Sequence, residues 1–344
     1  MSLRAEIFEQ PEVLERLLVT QAETAGELAS AIRARGARWM FVAARGTSDN
    51  AAVYAKYVWG ARNRLPVALA APSLFTLYRT PPRIADAVVV GISQSGQSPD
   101  IVGVVAEGRR QGALTLAVTN DPTSPLAAEA EWVIDLGTGP ERAVAATKTY
   151  TAQLLAVALL SAAMAGDDAS EALAAVPGMV GEALGLDGAV EAAVGRFREM
   201  GECVVLGRGF EYATAHEWAL KLKELTLVGA EPYSSADFRH GPVAIVGPGF
   251  TLLAAVPAGA VFDDVLALLT DLVEERGAEL VAVSNEPRAL ALASTPLPLP
   301  AGLPEWLGPL VSIVPAQLFC YHLARVRGLD PDAPRGLHKV TRTW

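Results

Sequence analysis

Three serines, Ser93, Ser95 and Ser98, fall within six residues of one another in the run Ser93-Gln94-Ser95-Gly96-Gln97-Ser98. Hydroxyls and an amide at that density, around a glycine that frees the backbone, are what a turn needs to hold a phosphate without a lysine. A hydroxyl-rich helix cap satisfies the same string, and the residues alone leave both readings open. A second group is Lys221 and Glu224, three apart and so on one helix face, where the carboxylate either moves a proton or pairs with its neighbour in solvent. His240 stands in a turn before Gly241-Pro242, better placed for acid-base work than His216 or His322, which fall inside amphipathic helices. Lys339 lies in a basic tail between His338 and Val340, and the apolar Leu337 and Val340 predict that the tail docks back on the body.

These residues need elements to position them. Val88, Val89, Val90 and Ile92 read as a strand buried on both faces, which breaks into the serine turn; apolar periodicity resumes at Ile101. Pro99 and Asp100 suit the first turn of the helix that follows, whose positive end would face the same anion. Upstream, 12–35 carries apolar residues at helical spacing and predicts lead-in helices. Segments 39–43 and 67–69 read as strands flanking a helix over 50–59 that starts after Arg45-Gly46-Thr47-Ser48. Downstream, 114–118 and 132–136 are further strands, and a loop over 137–142 feeds an apolar helix. Strands and helices in this alternation predict a parallel sheet covered on both sides.

The second half repeats the first. Phe41-Val42-Ala43-Ala44-Arg45-Gly46 matches Val204-Val205-Leu206-Gly207-Arg208-Gly209, and the segments ending at Asn120 and Asn285 match at nearly the same interval. Where the second copy should carry its serine turn it has Val256-Pro257-Ala258-Gly259-Ala260, which offers no hydroxyl. The first copy is expected to bind and the second to serve something else.

Composition narrows the partners. The chain has 344 residues, 51% hydrophobic and 19% charged, which is enough to bury two cores of ordinary size. A net charge of −10 leaves no basic stripe for nucleic acid or an anionic membrane, so an anionic ligand has to be held locally. Cys203 and Cys320 have no CxxC spacing, which points away from disulfides and zinc and toward a reducing cytoplasm. The N-terminal segment is too acidic for a signal peptide, and the apolar run 152–165 is too short for a bilayer span. It is expected to be a buried helix.

Taken together, Gly46-Thr47-Ser48, the turn at Ser93, Ala145-Ala146-Thr147-Lys148, Ala219 through Glu224, Arg239-His240-Gly241-Pro242 and the Lys339 tail resemble the tandem SIS (sugar isomerase) domains of the isomerase half of glucosamine-6-phosphate synthase. The likeness is closest to the stand-alone, synthase-like glucosamine-6-phosphate deaminases. It implies an α/β fold of two tandem doubly wound domains with parallel sheets, a flavodoxin-like three-layer sandwich. The expected layout is a helical lead-in (1–35), a first SIS domain that binds phosphosugar (36–166), a helical linker (167–200), a second SIS domain (201–328) and a tail with the active-site lysine (329–344).

The resemblance also assigns roles. Ser93, Gln94, Ser95 and Ser98 would hold the phosphate, with Gly46, Thr47, Ser48, the backbone at Val144 and His338 around the sugar. Glu224 would move the proton between C1 and C2, burial among leucines suiting it to that task, with Lys221 as its charge partner. His240 would open the ring and, as in the family, would come from the neighbouring subunit of a homodimer with shared active sites. Lys339 would be the amine near the carbonyl. No metal or organic cofactor is implied. Ala146 stands where the synthase has a serine, and His338 replaces a small residue, so contacts around C1 to C3 differ. The amidotransferase half has no counterpart before Gly46, which puts ammonia release from glucosamine 6-phosphate first; another phosphosugar isomerase or a fructosamine-phosphate deglycase is the alternative, and a non-catalytic phosphosugar sensor the third.

Overall fold

In the computed structural model, which describes residues 2–339, the alternation becomes two five-stranded sheets. The first contains β1 (Trp39–Ala43), β2 (Val67–Leu69), β3 (Ala87–Ile92), β4 (Leu114–Thr119) and β5 (Trp132–Asp135) in the order β2-β1-β3-β4-β5. The second contains β6 (Glu202–Gly207), β7 (Gly229–Ser234), β8 (Thr251–Ala255), β9 (Glu279–Ser284) and β10 (Thr295–Pro298) in the order β7-β6-β8-β9-β10. Every pairing is parallel, and the same order occurs twice. In each sheet the strand order reverses beside the first strand, between β1 and β3 and between β6 and β8. Ligands of doubly wound sheets bind beyond the carboxyl ends of the strands at such a point.

Burial explains which strands the sequence announces. β3 and β4 are buried at every residue, as strands covered by helices on both faces must be; β3 reads as an unbroken apolar run, while β4 includes the buried Thr115 and Thr119. β7 (Gly-Ala-Glu-Pro-Tyr-Ser) and β10 (Thr-Pro-Leu-Pro) carry no such run. Both lie at sheet edges, where a proline lacking its N–H costs no ladder bond. The apolar run 152–165 belongs to the helix Lys148–Ala165, buried along almost its whole length and apolar all round. Its counterpart, Gly308–Val326, is buried from Gly308 through Ala324. By length and composition, Glu305–Val326 is apolar enough to cross a membrane, yet its most apolar 18 residues are buried inside the protein.

The chain divides into two compact bodies. One gathers Glu12–Glu141, Lys148–Ala174, His338 and Lys339 about the first sheet, with a core that includes Val89, Ile101, Val104, Val105 and Leu126. The other gathers Ala175–Leu337 about the second sheet, with Leu206, Phe238, Leu252, Phe262 and Leu280 in its core, and adds the residues up to Pro11 and the segment Arg142–Thr147. The lead-in is two helices, Leu3–Phe8 and Gln10–Arg35, and the first of them belongs to the second body.

Candidate active site

In the first body the serine turn sits where β3 ends, beside the end of β1. Gly96 has φ 61°, and a Cβ there would lie 2.1 Å from Ser124 Oγ, so only glycine permits the approach. The turn is closed by its own hydroxyls: the Gly96 N–H donates to Ser93 Oγ (3.2 Å) and the Gln97 N–H to Ser95 Oγ (3.3 Å). Two of the backbone donors expected to face a ligand are thus engaged within the turn. Neighbouring strands brace it, with the Asn120 N–H donating to Gln94 O and the Leu126 N–H to Gly96 O, each 3.1 Å. Ser98 is the N-cap residue of the helix Pro99–Arg110, yet its side chain makes no capping bond. Each serine O–H remains a donor, and Gln94, Ser95 and Ser98 are only half-buried.

The turn after β1 faces the same point. Gly46, at φ 55°, precedes the helix Thr47–Asn63. Ser48 is buried, and its Oγ accepts from Gln153 Nε2 on the long core helix (2.9 Å). Arg45 Nε donates to the fully buried carboxylate of Asp100 (2.8 Å), which ties this turn to the first turn of the helix after the serines. A charge is thus present at this switch point although the serine run itself contains none.

The tail lysine belongs to the same body. Lys339 Nζ lies 2.8 Å from Glu141 Oε2, a carboxylate with no exposed side-chain surface, whose Oε1 accepts from the Thr149 N–H (3.1 Å). Lys148 is buried and donates to Pro140 O (3.0 Å). The sequence reading missed both Glu141 and Lys148, although they flank the segment containing Val144. His338 is exposed, and Val340, the expected apolar anchor, lies outside the described residues.

In the second body, Lys221 and Glu224 project from the helix Tyr212–Thr226. Lys221 is fully buried between two carboxylates: Glu224 Oε2 at 2.5 Å and Glu217 Oε1 at 3.3 Å. Burial would drive Lys221 toward neutrality, but the two carboxylates more than reverse this and hold it charged, above the ordinary lysine range. Glu217 is fully buried and was missed; its place four residues before Lys221 was the signal. Glu224 is not enclosed by leucines as expected. Its side chain is 22% exposed, so the carboxylate is anchored on one side and open on the other.

His240 ends the short helix Ser235–Arg239, its N–H donating to Asp237 O (3.0 Å), and it is exposed. No hydrogen bond or ion pair among the described residues joins it to Lys221 or Glu224. His216 packs edge-on against Tyr212 (4.4 Å between centroids). His322 is buried and bound to Asp187 Oδ1 (2.8 Å), a packing role with an ionic partner. Both thiols are buried, which pushes Cys203 up to about 12 and Cys320 well above the ordinary range. Among the described residues there is no group of three His, Cys, Asp or Glu side chains fit for a metal.

The profile described as SIS domain matches residues 35–163 and 197–327, one match over each sheet. A glutamine–fructose-6-phosphate aminotransferase (isomerizing) of Thermus thermophilus is 34% identical over 352 aligned residues, covering 97% of this chain and 57% of that protein. The chain thus spans a little over half the length of the curated relatives it matches. Among solved structures, a candidate phosphosugar isomerase of Silicibacter pomeroyi is 34% identical, covers 96% of this chain and 100% of its own, and superposes with a TM-score of 0.87. A glucosamine-6-phosphate deaminase of Thermotoga maritima covers both chains fully with a TM-score of 0.83; at 22% identity that likeness is one of fold.

Proposed function

The chain belongs to the SIS domain family, and on that premise we propose that it is an amino-sugar phosphate isomerase that works as a glucosamine-6-phosphate deaminase, converting glucosamine 6-phosphate and water to fructose 6-phosphate and ammonia. The observation that carries this reading is Glu224, a carboxylate with one oxygen held by a buried ammonium and a side chain that is 22% exposed. A base serving two adjacent carbons has to be fixed in place and still reachable. In the first body, the hydroxyls of Ser93, Ser95 and Ser98 and the amide of Gln94 take the phosphate, with Gly46, Thr47, Ser48, Val144 and His338 around the sugar.

The chemistry then runs in four steps. His240 donates a proton to the ring oxygen as the sugar opens. Glu224 removes the C2 proton and returns it to C1, giving a C2 imine; the Lys221 ammonium steadies the charge that builds between. Lys339 acts as a cation near the carbonyl carbon, a role its ion pair with Glu141 favours over that of an amine nucleophile. Water adds to the imine and ammonia leaves. The exposed position of His240 suits a side chain presented to a second copy, so the enzyme is read as a homodimer with shared sites.

The test is ammonia and fructose 6-phosphate formation from glucosamine 6-phosphate, run beside galactosamine 6-phosphate. Ammonia from the gluco sugar is the expected outcome. Interconversion of a phosphosugar without ammonia would replace the deaminase with a plain isomerase, and binding without turnover of either sugar would leave a sensor.

A further inference from the structure

Glu6 is a fully buried acidic side chain that neither the chemistry nor the site described above uses. It lies on the first helix, Leu3–Phe8, whose inner face is Leu3, Glu6 and Ile7, with Gln10 continuing it; all four have no exposed surface. A carboxylate taken wholly out of water has to be met by donors. Here backbone amides are among the donors. The Arg142 N–H lies 2.5 Å from Glu6 Oε1, and the Ala143 N–H lies 3.2 Å from Oε2. Two successive N–H groups converging on one carboxylate form an anion nest turned inward, and charge-assisted bonds of this kind are among the stronger ones in proteins.

The helix bearing Glu6 is itself fastened to the second body. Leu3 N–H donates to Asp332 Oδ1 (2.5 Å), Arg4 Nη2 meets Asp187 Oδ2 (2.6 Å), and Gln10 Nε2 donates to Gln317 Oε1 (2.9 Å) within the helix Gly308–Val326. Glu6 passes that anchorage to the segment Arg142–Thr147, which belongs to the same compact body. Val144, the residue whose backbone is assigned to the sugar hydroxyls, comes directly after the two amides that Glu6 holds.

We propose that Glu6 is a positioning residue for the substrate: without touching the sugar, it fixes the backbone of the segment 142–147 and so sets the site's discrimination for a sugar over bare phosphate. This rests on the assignment of Val144 made above. Glu6 also explains why the first helix keeps a charged residue on its buried face, since a leucine there could not accept from the amides of Arg142 and Ala143.

The experiment compares wild type, Glu6→Gln and Glu6→Asp for three quantities: KM and kcat with glucosamine 6-phosphate, the Kd of inorganic phosphate, and Tm. Glu6→Gln keeps the shape but turns an amide NH2 toward a backbone N–H. It is expected to raise KM about tenfold, the loss of roughly one charge-assisted bond, with kcat and the phosphate Kd each within about twofold of wild type. Glu6→Asp, which keeps the charge on a shorter stem, is expected to fall between the two, and carries the same comparison if Glu6→Gln does not fold. A lowered Tm with the KM-to-phosphate ratio unchanged would overturn the proposal and leave Glu6 a brace only. Equal weakening of phosphate and sugar would overturn it too, by placing the effect in the serine turn. Wild type that binds glucosamine 6-phosphate no better than inorganic phosphate would instead sink the reading of the site on which the proposal stands.

Discussion

At the end of β1 the chain reads Arg45-Gly46-Thr47-Ser48, and at the end of β6 it reads Arg208-Gly209-Phe210-Glu211. Both arginines pair with an aspartate in the first turn of the helix beyond the next sheet crossing, Arg45 with Asp100 and Arg208 with Asp264. Both fourth residues reach the long core helix of their own sheet: Ser48 accepts from Gln153, and Glu211 Oε2 accepts from Ser312 Oγ at 2.6 Å. Asn120 and Asn285 each hold a loop with their side-chain oxygen, the first taking the Thr138 N–H and the second the Ala258 N–H. The arginine–aspartate pair, the tie to the core helix and an asparagine that holds a loop are therefore present twice. What differs is the donor set, three serines and a glutamine in one copy against Val256-Pro257-Ala258-Gly259-Ala260 in the other. Where the first copy leaves polar groups at the surface of the turn, the second has a buried glutamate among Phe210, Val256, Pro257 and Phe262. The second copy thus serves as an internal control for the donor set proposed to hold the phosphate in the first.

The largest effect expected from breaking that division of labour is in the second body's own chemistry. Glu224→Gln should lower kcat by about a thousandfold, in the range that general acid-base groups supply, while the Kd for glucosamine 6-phosphate stays within a few-fold. Retained turnover would refute the assignment of proton transfer to the second copy. Next comes Glu211, whose pKa burial raises from 4.5 to about 7, against the pull of its bonds to Ser312 and Thr214. Because the folded protein holds this proton more tightly than the unfolded chain, its contribution is full below about pH 4.5 and is lost as pH rises to about 7. Glu211→Gln should therefore flatten the fall in Tm between pH 5 and pH 8 relative to wild type, a difference on the order of 3 kcal/mol. An unchanged slope would show that the second switch point carries no such buried acid. The smallest expected effect separates the two turns directly. Ser98→Ala should weaken inorganic phosphate binding about five- to tenfold, one lost hydrogen bond, whereas Ala258→Ser in the second turn should change it by less than twofold. Equal effects would erase the distinction between the copies.

The parts legible in the sequence are those whose signal is local. β3 shows itself because a strand buried on both faces is apolar at every position, and the turn after it because small hydroxyl residues replace that run abruptly. Lys221 and Glu224 are recognisable as helix neighbours from spacing alone. Their exposure is not, because which side of the helix Tyr212–Thr226 is covered depends on segments far along the chain; Leu227, just beyond that helix, is itself exposed. β7 and β10 escape notice because edge strands tolerate proline and glutamate, so periodicity has nothing to hold. Glu141 and Glu6 escape for a different reason. Each is a single acid whose partners, Lys339 and the amides of Arg142 and Ala143, lie 198 and about 136 residues away.

The fastening of the first helix has a consequence in time. Its bonds from Leu3 to Asp332 and from Gln10 to Gln317 span 329 and 307 residues, so closing them waits on nearly the whole of the second sheet and the helix Gly308–Val326. Translation delivers Leu3 long before Asp332, and the intervening loop entropy is repaid only once the docking surface exists. Folding from the unfolded state should accordingly protect the amides of β8 and β9 from hydrogen exchange before those of Ile7 and Phe8 and of Arg142 and Ala143. The segment assigned to the sugar would then become ordered last, and a nascent chain still missing its final helix would carry the serine turn without the segment proposed to tell one ligand from another.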